Sequence, residues 1–266
     1  GSQLDGLTRF SADFSKWKFD RFKHWKYHLL NRTDYHGPKF SLGESVIGKK
    51  VQWARYNNRH ELIYKKKGFK NRHRFWWQNR INYNGLDPRG WERKDQTEYA
   101  LESLLPLKNN LQLMIEGDLH RSKVSSEFNR ITNRTLNGFN SGLGIKGQNA
   151  NKLQWESRFV YYRDRTEIKQ NTQEFVDAYG LKINWIHFIG KDGRLEGNME
   201  YYIANGFPEM PPEALNGIAD KRTLRANIMV SIFLGRTLSV NATLLYLDDI
   251  RYNNFIKLRG ELRAHF

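Results

Sequence analysis

Asp118, His120 and Ser122 stand at alternate positions in the stretch GDLHRS. In an extended segment alternate side chains share a face, so these three would lie together. A histidine beside a carboxylate can act as a base, and a serine two residues on can act as a nucleophile. A triad also needs a third polar group that orients the base, and no such partner stands in a recognisable context. An Asp-x-His pair on a strand is more often a local ion pair. Asp248-Asp249 is the other carboxylate pair available to hydrolytic chemistry. No P-loop, no dinucleotide-binding glycine pattern and no HExxH motif occurs. Cysteine is absent, which removes disulfides, zinc–thiolate centres and cysteine nucleophiles. No catalytic residue, metal site or cofactor is therefore assigned.

A longer charged pattern closes the chain, in FIKLRGELRAHF. Lys257, Arg259, Glu261, Arg263 and His265 alternate with Ile256, Leu258, Gly260, Leu262, Ala264 and Phe266. A strand here has one apolar and one charged face. Charged residues in the same kind of register recur upstream: Arg225, Arg194, Lys182, Arg158, Arg72 and Arg74. The chain has 266 residues and a formal net charge of +16, which suits an anionic partner.

Strands must position these residues. Period-2 alternation runs from about residue 50 to the end, and no window keeps a helical period. The clearest cases start at Leu111, Leu153, Leu195, Leu224 and Leu238. Short turns rich in Gly, Asn and Asp separate them: KKKGFKN (65–71), PLKNN (106–110), GQNAN (147–151), GKDGR (190–194) and LGRT (234–237). Such residues reach the positive φ of tight hairpins. Between them lie longer polar stretches at 126–136, 164–174 and 205–222. The glycine-rich GFNSGLGIKG (138–147) reads as a tightly curved or closely packed strand. The alternation predicts an all-β, up-and-down antiparallel transmembrane barrel of about twelve strands, range ten to fourteen. Residues 51–266 form that barrel. Residues 1–50 supply its first strands, a plug or an interfacial segment, and one continuous barrel over 1–266 is the alternative. No apolar run is long enough for a transmembrane helix, which leaves strand-spanning open. Gly1-Ser2 resembles a cloning scar and is compatible with loss of a signal or a larger upstream region.

The closing segment, with Leu258, Gly260, Leu262, Ala264 and the terminal Phe266, resembles the last strand of bacterial outer-membrane β-barrel proteins. The resemblance implies the outer membrane as location and insertion by the barrel assembly machinery. It also implies contact with lipid bilayer and lipopolysaccharide. Under it, Arg259, Arg263, Lys257, Glu261, Arg225, Arg194, Arg158, Lys182, Arg72 and Arg74 face the lumen. Trp76, Trp77, Tyr83, Trp155, Tyr161, Trp185, Tyr201, Tyr246 and Phe266 sit at the membrane interfaces. The lysines at 49–50, 65–67 and 70 add to the basic excess that favours anions or, as a charge run at an interface, meet lipid phosphates.

An arginine-rich lumen favours a small anionic solute, so a channel or binding pore is expected. Paired charges could instead fill the lumen, giving a non-conducting anchor or a subunit of an envelope complex. A soluble β-rich nucleic-acid-binding domain is the reading outside this fold. KWKFDRFKHWKYH (16–28) and KKKGFKNRHRFWW (65–77) mix basic and aromatic residues as phosphate and base contacts require. A membrane interface uses the same mixture, and the hairpin layout favours that.

Overall fold

The structure is a computed structural model that describes residues 3–13, 23–36, 51–84, 91–108, 110–126, 133–149, 152–168, 171–172, 175–205, 214–218, 221–234, 238–249 and 254–264. Alternating β-branched, aromatic and polar residues fold as strands nearly everywhere. The first four are β1 (Gln3–Asp13), β2 (Trp25–His36), β3 (Val51–Lys66) and β4 (Phe69–Asn84). Then come β5 (Trp91–Pro106), β6 (Leu111–Ser126), β7 (Arg134–Asn149) and β8 (Leu153–Ile168). The two-residue β9 (Asn171–Thr172) pairs with β8. The last five are β10 (Val176–Ile189), β11 (Gly193–Asn205), β12 (Lys221–Leu234), β13 (Leu238–Asp248) and β14 (Phe255–Ala264).

Among the described residues these make one sheet of fourteen strands, and apart from β9 its order is the chain order. Every pairing with a defined register is antiparallel. This is an up-and-down meander, at the upper limit of the expected strand number. The turns explain the meander locally. Lys66 pairs with Phe69, and Lys67 and Gly68 between them have φ of 46° and 81°. That is a two-residue hairpin of the kind whose twist matches the strands.

The chain divides into two compact units. The first comprises Gly1–Ser103, Gly117–Phe139 and Asp164–Phe175, and the second Leu104–Glu116, Asn140–Arg163 and Val176–Phe266. Within the first 50 residues, β1 and β2 are described, and they join the sheet through β3. In the second unit the long connection 205–222 holds a single-turn 3-10 helix, Ala214–Gly217. It breaks the strand alternation that the chain keeps elsewhere.

Candidate functional site

The two faces of the sheet are inverted relative to a water-soluble protein. Leu258, Leu262, Ile256 and Leu119 are 75%, 68%, 64% and 63% exposed, while Asp164 is 1% exposed. On β6, Met114, Ser122, Val124 and Ser126 are buried, and Ile115 and Leu119 between them are exposed. A contiguous exposed apolar surface is unfavourable in water and suits hydrocarbon. The register carries this inversion from strand to strand. Leu258 pairs with Leu244, Leu244 with Ile228 and Ile228 with Gly197, all on the apolar face.

All ten charged residues expected to share a lining fall on the opposite, charged parity of their strands. In the first unit, Arg72 bridges Glu61 of β3 and Glu102 of β5, the latter at 3.3 Å. Lys70 joins Glu102 at 3.2 Å and Arg74 joins Glu98 at 2.6 Å. Arg72 and Arg74 are therefore already neutralised by neighbours. Lys70 is in this ladder too, not at a lipid surface; Lys65, Lys66 and Lys67 are exposed, and 49–50 lie outside the described residues.

Trp76 continues the same parity. Its Nε1 donates to Asn57 Oδ1 at 2.8 Å, so it belongs to the charged face and departs from the expected interface belt. Strand period explains this: adjacent Trp76 and Trp77 cannot share a face. Trp77 lies on the apolar side against the Tyr56 ring, with centroids 5.0 Å apart.

Deeper in the first unit, His120 lies between two carboxylates. Nδ1 is 3.1 Å from Asp118 and Nε2 is 2.9 Å from Asp164. Both ring nitrogens are thus occupied, and neither is free to take a proton from Ser122. The Ser122 hydroxyl is buried and has no hydrogen-bond partner among the described residues. The Asp-x-His-x-Ser spacing is an ion-pair cluster on one strand face.

In the second unit, Arg158 of β8 binds Glu116 of β6 through Nη1, at 2.8 and 3.1 Å. Its Nε is 2.8 Å from Glu156. The strand between them is β7. Gly142 and Gly144 present no side chain there, and a Cβ on them would stand 2.6 Å from Glu116 Oε1 and from Arg158 Cγ respectively. The sequence reading of 138–147 as a tightly curved or closely packed strand locates this feature without its purpose, and the close packing is the alternative seen at Gly142 and Gly144.

Part of the charged parity is apolar. Val160, Tyr162, Val176, Ala178, Tyr202 and Ala204 form a buried cluster with Leu215 and Ile218 of the 205–222 connection. Arg225 donates to the Gly217 carbonyl at 2.7 Å and so ties that connection to β12. Lys182 lies over the Tyr162 and Tyr202 rings at 5.6 and 5.8 Å, and 4.0 Å from Glu200. Hydropathy periodicity puts the strand members on one parity, all even-numbered on β8, β10 and β11, but does not mark them as a cluster, since that parity also carries Arg158, Lys182 and Glu200. It misses the helix that covers them.

Toward the short-turn end of β11–β14 a cavity of about 280 Å³ opens on the same face. Arg194, Arg259, Glu261 and Arg263 line it, with Ser231, Asn241 and Thr243 between them. Arg263 is held by Glu261 at 2.9 Å, and Arg194 pairs with Glu196. Lys257 and Arg259 make no ion pair among the described residues. The cavity therefore presents one guanidinium outside any ion pair, near the shared Glu261, and two that are ion-paired, beside neutral hydrogen-bonding groups.

The remaining aromatics lie on the apolar parity. Trp185 pairs across from Gly197 and Trp155 covers Gly147; a Cβ on those glycines would meet the indoles at 2.0 and 2.7 Å. Tyr161 donates to Asp177 at 2.5 Å and Tyr246 to Asn254 at 2.7 Å. Tyr201 is 38% exposed. The side chain of Tyr83, and Phe266 and His265, lie outside the described residues.

No protein-family model matches the chain. No curated protein matches it either. Solved structures do. CdiB from Escherichia coli superposes with a TM-score of 0.57 at 11% identity, over 98% of this chain. This chain spans about half (52%) of that structure's length. The translocator domain of autotransporter NalP from Neisseria meningitidis gives a TM-score of 0.41 at 11% identity, over 81% of this chain and 82% of its own. The antiparallel meander, the inverted faces and the CdiB superposition agree: the chain has the fold of the bacterial outer-membrane β-barrel proteins.

Proposed function

We propose that the chain is an outer-membrane barrel that passes or binds a small anionic solute along its charged face. In a closed barrel the apolar parity meets lipid and the charged parity becomes the lining. The observation that carries the reading is the unequal pairing of the basic residues. Arg72, Arg74, Arg158, Arg194 and Arg263 are paired with carboxylates, whereas Arg259 lines the β11–β14 cavity with no ion pair among the described residues, beside a Glu261 that Arg263 already holds, and Lys257 on the same parity also has no ion pair among them. An unmatched guanidinium beside hydroxyl and amide groups offers a carboxylate, phosphate or sulfate two or more hydrogen bonds. Lipid bilayer and lipopolysaccharide are the surrounding partners under this reading, and the barrel assembly machinery is the inserting one.

A second reading has its own support. The Ala214–Gly217 turn covers the apolar cluster on the lining parity, and the β6–β8 ion pairs occupy that face. A barrel filled in this way serves as an anchor or as a subunit of an envelope complex without conducting. Liposome swelling separates the two. Vesicles containing the refolded chain should swell in small organic anions faster than in matched cations. Equal, lipid-only rates would favour the filled barrel.

A further inference from the structure

We propose that Arg121 and Lys123 on β6, with Arg165 on β8, form a clamp for the phosphates of lipid A on the outward face of the first unit. This rests on the membrane-barrel reading. Arg121 and Lys123 occupy the exposed parity of β6, immediately beyond Ile115 and Leu119, which are 41% and 63% exposed. They stand at the end of β6 that leads into the longer connection. In outer-membrane barrels that end faces outward and short turns face the periplasm. The apolar belt thus ends and basic residues begin at the level where acyl chains give way to phosphorylated sugars.

Among the described residues, other arginines on the exposed parity near long connections are ion-paired. Arg93 is held by Asp95 at 2.9 Å, Arg163 by Asp177 at 3.4 Å and Arg222 by Asp248 at 3.2 Å. Each of these three arginines has its own carboxylate. Arg121 and Lys123 have no ion-pair partner among the described residues, and both are exposed. Across β7, Arg165 lies over the Phe175 ring at 5.4 Å, a contact that orients a guanidinium and leaves its N–H groups available. Two unpaired cations on one strand and a third on the next but one suit an anion carrying more than one phosphate, anchored by acyl chains beside Leu119. Lipid A has both features.

The test uses the full chain refolded in detergent, with bisphosphorylated hexa-acyl lipid A as probe and its dephosphorylated form as comparison. Native mass spectrometry gives the affinities. Arg121→Gln combined with Lys123→Gln should weaken binding of the phosphorylated form by about 30-fold, at about a fivefold factor per cation. Arg121→Lys with Lys123→Arg should retain binding, as should Lys191→Gln in a short turn. Equal binding of both lipids, or unchanged binding by the double glutamine variant, would overturn the clamp. If that variant does not refold to a heat-modifiable species, Arg165→Gln replaces it, with a severalfold loss expected and no loss overturning the proposal. A chain that stays monodisperse without detergent would overturn the membrane reading and the clamp with it. A detergent-requiring chain that ignores the phosphates overturns the clamp alone.

Discussion

Arg158 on β8 binds Glu116 on β6 across the intervening β7, and it does so over Gly142 and Gly144. The two glycines and the ion pair are one device. Side chains two strands apart are about 10 Å apart at the backbone, so a long Arg and a Glu must lie flat to meet. Any β-carbon between them would hold them apart.

Gly144→Ala should therefore destabilise the protein, because its Cβ would stand 2.4 Å from the Ser157 carbonyl oxygen. The expected cost is about 1–3 kcal/mol, typical of forced overpacking. Gly260→Ala is the matched control, since nothing lies within 4 Å of its Cβ position, and surface changes of that kind stay within about 0.5 kcal/mol. Urea unfolding in detergent, read by heat-modifiable gel migration, measures both. Equal effects at the two glycines would contradict the packing account.

The His120 cluster predicts a contrast between neighbours on one strand. Asp164→Asn removes the better-buried of the two carboxylates that hold His120, and should cost about 1–3 kcal/mol by leaving a polar group unmatched. Ser122→Ala should be near neutral, because its hydroxyl has no hydrogen-bond partner among the described residues. The same unfolding measurement tests this. A large loss for Ser122→Ala would show that the hydroxyl has a role in the protein that the geometry does not contain.

How much of this could be read in the sequence depends on which physical signal carries it. Residues 255–264 of the closing segment form β14 with the two expected parities, because a period of two and an exposed apolar face are both local properties. The placement of Arg72 and Arg74 on the charged face followed for the same reason. Their partners Glu61, Glu98 and Glu102 did not, since pairing depends on register between strands. Adjacent Trp76 and Trp77 were both read as belt residues, although the same periodicity forbids it. The Ala214–Gly217 turn was hidden in a proline-rich stretch with no period at all, and only the apolar even positions of β8, β10 and β11 hinted that something covers them.

That turn gives a third prediction. Arg225→Ala removes the hydrogen bond to the Gly217 carbonyl and loosens the 205–222 connection from β12. If the connection restricts the lining, the variant should show larger or noisier single-channel currents than the parent. Currents identical in size and noise would mean that Leu215 and Ile218 hold the connection without Arg225.

The central claim is that a small anion moves along the charged face past Arg259. The reversal potential across a planar bilayer under a potassium chloride gradient tests it most directly. The account predicts anion selectivity for the parent chain, and a shift toward non-selectivity for Arg259→Ala combined with Arg263→Ala. Absence of any conductance, or cation selectivity in the parent, would contradict it.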